Sequence, residues 1–241
     1  GGEIIHLTET LPNDLKSSVK FKIDRNRRSF IESNHTSTHL LHQALRNVLG
    51  NHVEQRGSMI SDKVFRFDFS HQNKITDAEL KSINDFINEK INQSIDIIEN
   101  REEDYEKAIK NGAIGLFTEK YEEKVRTIKF NDSYELCGGT HVKNTSLISS
   151  FKIISEGSQA FGIRRIVATS NKEKIIAENL KQKEIKEKVN SDNLNKLQKK
   201  EIELQNKIKI QSIKEDIAKN IRKINDVNIF LAEIDLDPKS I

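Results

Sequence analysis

The heptapeptide ELCGGTH, residues 135–141, contains the only cysteine of the chain and places Cys137 and His141 four residues apart. A second pair with the same spacing, His35 and His39, lies upstream in HTSTH. Thiolate sulfur and imidazole nitrogen are ligands that zinc prefers, and this spacing puts both members of a pair on one side of a helix or tight turn. The four side chains could therefore share one metal ion, although spacing alone leaves ordinary structural roles open.

The composition limits the class of protein. Hydrophobic residues make up 35% of the 241 residues, which is low for a wholly compact globule, so we expect an extended part. The sequence has no long apolar run and no signal-peptide pattern at its start, which predicts a soluble protein with no membrane partner. A single cysteine cannot form an internal disulfide, and this favours a cytoplasmic location.

The charge is close to balanced, with a formal net charge of +3. The excess lies after residue 170, where 16 basic residues accompany 13 acidic ones. A weakly basic tail is compatible with RNA binding but does not establish it.

The chain changes character near residue 170, because no glycine or proline occurs between Gly162 and Pro238. Isoleucines recur at spacings of three and four from Ile210 to Ile224, as on one face of a helix. We predict an antiparallel helical hairpin or coiled-coil arm with its turn at residues 190–193. The closing segment 228–237 alternates like the first strand of a further unit.

The first 170 residues predict an α+β fold, because helical and strand patterns alternate. Helices are expected over residues 34–49, from an Asn34 N-cap to Gly50, and over residues 76–93, which begin with a capping box. Strands are expected at residues 3–9, 19–24, 64–70, 114–117, 125–130, 149–155 and 163–169.

Two other chemistries fit these residues less well. Thr36 stands where a metalloprotease helix carries glutamate, so peptide hydrolysis by that route is not expected. Cys137 as a nucleophile, with the amides of Gly138 and Gly139 as an oxyanion hole, remains an alternative to metal binding. His6, His42 and His52 taken singly are interpreted as ordinary surface or core imidazoles.

The sequence around both pairs resembles the editing domain of alanyl-tRNA synthetases. The matching stretches are NHTSTHLLH at 34–42, LGNHVEQRGS at 49–58, RFDFSH at 66–71, GAIGLF at 112–117, ELCGGTHV at 135–142 and GIRRI at 162–166. They occur in the family's order over residues 3–170, and a helical arm follows them as it does in that family.

The resemblance implies a fold class and a division of the chain. The fold would be an α+β zinc-containing editing domain, of the threonyl/alanyl-tRNA synthetase second additional domain type, followed by a long helical or coiled-coil arm. Residues 1–33 would be a remnant of an N-terminal β-barrel, and residues 34–170 the zinc-dependent editing core. Residues 171–225 would form the arm, and residues 226–241 the start of a C-terminal globular unit.

The resemblance also implies an activity and its residues. The activity is hydrolysis of tRNA(Ala) mischarged with serine or glycine, with Zn²⁺ held by His35, His39, Cys137 and His141. Gln55 matches a position tied to selectivity, and Glu135 matches an acidic residue that bears on catalysis in the related threonyl domain. Arg66 and Asp68 would either support the pocket or lie on an exposed strand face. The candidate tRNA contacts are Arg25, Arg27, Arg28, Arg164 and Arg165.

Three alternatives stay open on the sequence. The chain could be a freestanding trans-editing deacylase, a threonyl-type editing domain, or a non-catalytic zinc-stabilised module for tRNA binding or dimerisation. The arm favours a synthetase segment and offers a surface for self-association. A chain of 241 residues has no room for a synthetase core, so we expect it not to attach alanine.

Overall fold

The computed structural model describes residues 7–10, 13–14, 16, 18–115, 121–220, 222–224 and 227–229. The chain forms two compact units, Gly1–Ala177 and Glu178–Ile241. In its described residues, the first unit contains helices α1 (Arg25–Leu49), α2 (Asp77–Asn92) and α3 (Tyr105–Lys110) and seven strands. The strands are β1 (Gln55–Ile60), β2 (Phe65–Ser70), β3 (Ile98–Asp104), β4 (Lys124–Phe130), β5 (Ser133–Leu136), β6 (Lys152–Ala160) and β7 (Ile163–Thr169).

The strands of this unit form two antiparallel sheets, so the α+β prediction is confirmed. One sheet has four strands in the order β1-β2-β7-β6, and the other has three in the order β3-β4-β5. In β2 the three phenylalanines Phe65, Phe67 and Phe69 are fully buried, as expected for alternate residues on one face of a strand. They join a core with buried leucines of α1 and isoleucines of α2.

Helix α1 starts nine residues before the predicted N-cap Asn34. Its N-cap is Asp24, whose side chain accepts a hydrogen bond from the Arg27 amide. Asn34 is instead fully buried inside the helix and bonds the backbone of Ser61 and Ser170. The first turns of α1 are polar and mostly exposed, so they carry no apolar periodicity that could predict them.

Helix ends elsewhere follow the expected local chemistry. Gly50 ends α1 with φ of 116°, a conformation that side chains disfavour, and its amide donates to the Arg46 carbonyl. Thr76 and Glu79 form the predicted capping box of α2.

The strand predicted at residues 149–155 is displaced, since β6 covers Lys152–Ala160 and passes through register shifts against β7.

The β-barrel remnant expected at residues 1–33 is not confirmed. Residues 18–24 have no regular secondary structure, and the alternating Val19, Phe21 and Ile23 are exposed, so the predicted strand 19–24 is wrong. The strand at 3–9 lies mostly outside the described residues, and residues 7–9 are irregular. Of the strand expected at 114–117, Ile114 makes an isolated bridge to Glu135, while residues 116–117 lie outside the described part.

The long helical arm predicted after residue 170 is confirmed by α4 (Lys172–Asn220), but the hairpin form of it is wrong, because the helix runs without interruption through residues 190–193. That segment reads Asn-Ser-Asp-Asn and contains neither glycine nor proline, so nothing in it terminates a helix. Several large apolar side chains of α4, among them Leu180, Leu197 and Ile208, are exposed. A short ribbon of β8 (Arg222–Ile224) and β9 (Val227–Ile229) follows, and the rest of the predicted closing strand lies outside the described residues.

Candidate metal centre

Helix α1 presents His35 and His39 one turn apart on its face toward the core. His39 is 4% exposed, and the next two residues of the helix, Leu40 and Leu41, are fully buried. Since residues i and i+4 of a helix lie one above the other, the two imidazoles point to the same region. Their ring centroids are 5.2 Å apart, with the rings nearly perpendicular.

The other two predicted ligands lie on the irregular segment that follows β5, residues 137–141, which we call the ligand loop. The Cys137 Sγ lies 3.4 Å from His35 Nε2 and 3.4 Å from His141 Nε2. One ligand atom from each of His35, His39, Cys137 and His141 lies within 4.8 Å of the others. The structure therefore brings together all four residues that the sequence suggested, and we refer to them as the metal centre.

Hydrogen bonds outside the centre orient the imidazole rings. His35 Nδ1 lies 3.1 Å from the Thr140 carbonyl oxygen, and a carbonyl only accepts, so this nitrogen carries the proton and leaves Nε2 with its lone pair. His141 Nδ1 lies 3.1 Å from the Thr36 hydroxyl, which also accepts the Val142 amide. The Thr140 carbonyl thus places His35 Nε2 as a ligand, and the Thr36 hydroxyl holds the ring of His141, as groups next to the ligands commonly do at zinc sites.

Position 139 has room only for glycine, because the backbone there lies against the ring of His35. A Cβ atom at this position would lie 2.1 Å from His35 Cε1 and 2.6 Å from its Nδ1. The neighbouring Gly138 has no heavy atom within 4 Å of such a Cβ. The two glycines of the loop therefore have different roles, a distinction that the repeated letter in the sequence does not reveal.

The buried side chain of Glu135 lies next to the metal centre, between His39 and His42. The carboxylate is 3% exposed, with Oε1 accepting a hydrogen bond from His42 Nδ1 at 3.0 Å and Oε2 lying 3.6 Å from His39 Nε2. His42 is 1% exposed and is the site residue that sequence reasoning missed. The available signal was its place three residues after His39, on the same helix face as both ligands.

The electrostatics favour neutral imidazoles, the form that binds metals. Burial lowers the pKa of His39 to about 3 and that of His141 to about 2, and burial also lowers the pKa of His35. Burial alone would raise the pKa of Glu135, but the proximity of His39 and the hydrogen bond from His42 outweigh it and hold that pKa below its usual value. Burial raises the pKa of the Cys137 thiol, and a bound cation would reverse this by favouring the thiolate.

The donor set fits zinc. Three imidazoles and one thiol are borderline-soft ligands in the number that a tetrahedral zinc site uses. Among the described residues, buried His39 Nδ1 also lacks a hydrogen-bond partner, which a bound cation would account for. The nucleophile alternative fits less well, because the Gly139 amide already donates to Cys137 Sγ and the thiol pKa is raised.

The metal centre lies in the wall of a cavity of about 450 Å³, a size typical of small-ligand sites. Gln55 at the start of β1 lines it, with Ser58, Thr38 and Glu135. The side-chain amide nitrogen of Gln55 donates to the Ser58 hydroxyl at 3.3 Å. The side-chain carbonyl oxygen of Gln55 is then the group that can accept a hydrogen bond. All three predicted catalytic positions, Gln55, Glu135 and Cys137, therefore border one cavity.

Arg66 and Asp68 do not line that cavity. Asp68 accepts two hydrogen bonds from Arg165, its cross-strand neighbour on β7, at 2.7 and 2.9 Å, and it lies 3.5 Å from Arg66. Asp68 is 7% exposed, so the exposed strand face considered as the alternative does not describe it either. The two residues instead belong to an ion-pair network on the sheet.

The five arginines predicted to contact tRNA fall into two groups. Arg164 pairs with Glu156, and Arg165 pairs with Asp68, so both guanidinium groups are already engaged. Arg25, Arg27 and Arg28 lie in the exposed first turns of α1, where Arg28 is 3.8 Å from Glu32.

None of the helices in the described part of the chain combines the length and apolar character needed to cross a membrane.

Comparison with known proteins places these residues in a larger context. Residues 125–167 match the family model described as the threonyl and alanyl tRNA synthetase second additional domain. An alanine–tRNA ligase from Christiangramia forsetii is 44% identical over 255 residues, which cover 99% of this chain and 29% of the ligase. Another from Cytophaga hutchinsonii is 54% identical over 167 residues, covering 68% of this chain and 19% of the ligase. A third from Flavobacterium psychrophilum is 39% identical, covering 98% of this chain and 28% of its own length.

Proposed function

Since the chain belongs to the alanyl-tRNA synthetase family and spans less than a third of the length of these relatives, we propose that it is the editing part of such an enzyme. Its reaction would be hydrolysis of the ester in seryl- and glycyl-tRNA(Ala), in the cytoplasm. The observation that carries the proposal is the metal centre in the wall of a cavity that Gln55 also lines. The match of residues 125–167 to the second additional domain supports it.

The physical need for such a reaction follows from the size of the amino acids. A pocket that accepts alanine cannot strongly reject glycine, which is smaller, or serine, which merely adds a hydroxyl. A second site that hydrolyses the wrong products restores accuracy. A cavity that is lined by polar groups such as Gln55 and Ser58 can bind a serine hydroxyl better than a purely apolar cavity can.

His35, His39, Cys137 and His141 would hold a zinc ion. When bound, such an ion supplies positive charge that can polarise an ester carbonyl or a water molecule. Four protein ligands complete a tetrahedral shell, so the amide of Gln55 and the hydroxyl of Ser58 are the groups we assign to orienting the substrate and the hydrolytic water.

Glu135 has a supporting role in this scheme. Both of its oxygens face histidines, Oε1 toward His42 and Oε2 toward His39. A carboxylate held in this way is suited to fixing the orientation of His39 and less suited to carrying a proton to the leaving ribose hydroxyl. The Gly139 amide, which donates to Cys137 Sγ, is likewise committed to the centre.

The test is deacylation of seryl-, glycyl- and alanyl-tRNA(Ala) by the purified chain, with zinc content measured on the same samples. We expect hydrolysis of the first two substrates and not the third. Cys137→Ala should abolish hydrolysis and remove zinc, whereas His52→Asn, which changes a histidine outside the centre, should preserve both. Hydrolysis by Cys137→Ala at the rate of the unaltered chain would refute the proposal.

The same assay separates the non-catalytic alternative. A chain that retains one zinc ion, binds tRNA and hydrolyses none of the three substrates is a zinc-stabilised binding module. Freestanding trans-editing remains a variant of the proposal with the same chemistry.

Self-association through α4 is a separate proposal. Large apolar side chains such as Leu194, Leu197 and Leu204 are more than half exposed on this helix. A second copy of the chain would remove them from water. Light scattering over a range of concentrations should show a dimer that Leu197→Glu weakens, and a strictly monomeric chain would exclude it.

A further inference from the structure

We infer that Arg126 is a positioning residue for the metal centre, because its guanidinium holds the ligand loop in place. Arg126 lies on β4, outside the set of residues that the sequence patterns single out. Its effect on hydrolysis rests on the proposed function, whereas its effect on metal binding can be measured without any tRNA.

Arg126 contacts the loop with both its side chain and its backbone. Nη1 donates to the carbonyl oxygens of Cys137 and Gly139, at 2.7 and 2.6 Å. The Arg126 carbonyl oxygen accepts the Cys137 amide at 3.1 Å. The backbone bond survives any substitution at this position, so a side-chain variant removes only the clamp on the two carbonyls.

The clamped carbonyls belong to the part of the loop that determines ligand geometry. The Gly139 amide points at Cys137 Sγ, and the next carbonyl, that of Thr140, fixes the tautomer of His35. Rotation of either peptide whose carbonyl Arg126 binds, that of Cys137 or that of Gly139, would therefore disturb two ligands at once. Charged donors form stronger bonds to carbonyls than neutral donors do, which suits a guanidinium to this task.

Glu99 on β3 orients the guanidinium from the opposite side. Arg126 Nε donates to Glu99 Oε1 at 2.8 Å, and Arg101 Nε donates to the same oxygen at 2.7 Å. The Arg126 side chain is 22% exposed, but that of Arg101 is 76% exposed. Among the described residues, Arg101 makes no hydrogen bond to the loop, so it provides a matched control: the same residue type on the same carboxylate without the clamp.

The experiment measures Co²⁺ and Zn²⁺ affinity, the Co²⁺ absorption spectrum and the deacylation kinetics of four variants. For Arg126→Met we expect metal affinity to fall about 10- to 100-fold, the range seen when groups that orient metal ligands are removed. The cobalt spectrum should change, and kcat should fall with little change in KM. Arg126→Lys should recover part of the loss, Glu99→Gln should show a smaller loss in the same direction, and Arg101→Gln should match the unaltered chain.

The outcomes separate this inference from the proposed function. If the unaltered chain binds metal but hydrolyses no ester, the proposed function fails, while the affinities and spectra still decide the role of Arg126. Metal affinity within twofold of the unaltered chain and an unchanged cobalt spectrum in Arg126→Met would overturn the inference. So would a rise in KM alone, because that result would make Arg126 a substrate contact. If Arg126→Met does not fold, Glu99→Gln and Arg126→Lys, read against Arg101→Gln, decide the question.

Discussion

The two halves of the metal centre use the same four-residue spacing on different supports. His35 and His39 stand on α1, whose backbone hydrogen bonds are internal to the helix. Cys137 and His141 stand on an irregular loop, which side chains from other elements hold in place. The same spacing therefore brings ligands together on both supports, but different contacts hold each pair in place.

Each half has its own kind of weakness. The helix half depends on buried groups behind the ligands, because Glu135 and His42 lie beneath His39. The loop half depends on close backbone approach and on clamps such as Gly139 against His35. Substitutions that break one half while sparing the other should therefore separate the two kinds of support.

The largest effect is expected in the loop half, for Gly139→Ala. A Cβ at this position would lie 2.1 Å from His35, so the loop or the helix ligand must move. We expect zinc affinity to fall by about 100-fold, the upper part of the range for disturbed ligand orientation. Isothermal titration with zinc measures it, and Gly138→Ala, which has open space, is the control. Equal affinities for the two variants would mean that the loop adapts freely.

In the helix half, Glu135→Gln tests the support beneath His39. The substitution keeps the shape but removes the charge between His39 and His42, and one of the two histidines then faces an amide nitrogen. We expect about a 10-fold loss of zinc affinity. Glu32→Gln, which changes a partly exposed carboxylate on the same helix, should have no effect. An unaltered affinity in Glu135→Gln would show that α1 alone positions its ligands.

The pH dependence of the metal-free chain compares one histidine from each half. Burial holds the pKa of His39 at about 3 and that of His141 at about 2, whereas the unfolded chain titrates near 6.5. The unfolded state therefore binds more protons below pH 6.5, and stability is lost as the pH falls. Urea unfolding with a chelator from pH 7 to pH 5 should show the free energy of unfolding falling by up to about 1.4 kcal/mol per pH unit for each histidine. In His39→Gln this slope should be smaller by the contribution of one histidine. A free energy of unfolding that does not change with pH in the unaltered chain would contradict the lowered pKa values of His39 and His141.

The smallest effect on the centre is expected from the arginines proposed to contact tRNA. Replacement of Arg25, Arg27 and Arg28 by glutamine should leave zinc affinity unchanged and reduce the salt dependence of tRNA binding, by about one unit of slope per lost phosphate contact. Arg165→Gln should instead lower the free energy of unfolding, since it removes the two hydrogen bonds that Arg165 donates to Asp68. Filter binding at several salt concentrations and urea unfolding distinguish the two groups. Reversed results would assign the RNA surface to β7.

The sequence was sufficient where local chemistry decides the structure. The capping box at Thr76, the end of α1 at Gly50 and the alternating phenylalanines of β2 all follow from rules that act within a few residues. Two equal spacings and the softness of the donor atoms suggested that His35, His39, Cys137 and His141 lie together, as they do in the structure.

The sequence was insufficient where distant residues decide. Arg126 reaches the ligand loop only through the pairing of β4 with β5, and His42 has meaning only once Glu135 is beneath it. Arg164 and Arg165 look available for RNA until cross-strand neighbours are known to engage them. The uninterrupted course of α4 through residues 190–193 is a related case, since the polar composition suggested a turn that no helix breaker enforces.

The proposal to test is that hydrolysis of mischarged tRNA(Ala) by this chain requires a zinc ion, which both halves of the centre would hold. Its most direct test is the initial rate of seryl-tRNA(Ala) deacylation by metal-free chain as zinc is added in measured equivalents. We expect a rate that starts near zero, rises in proportion to bound zinc and levels off at one ion per chain. One bound zinc ion per chain without hydrolysis, or hydrolysis that does not depend on zinc, would contradict it.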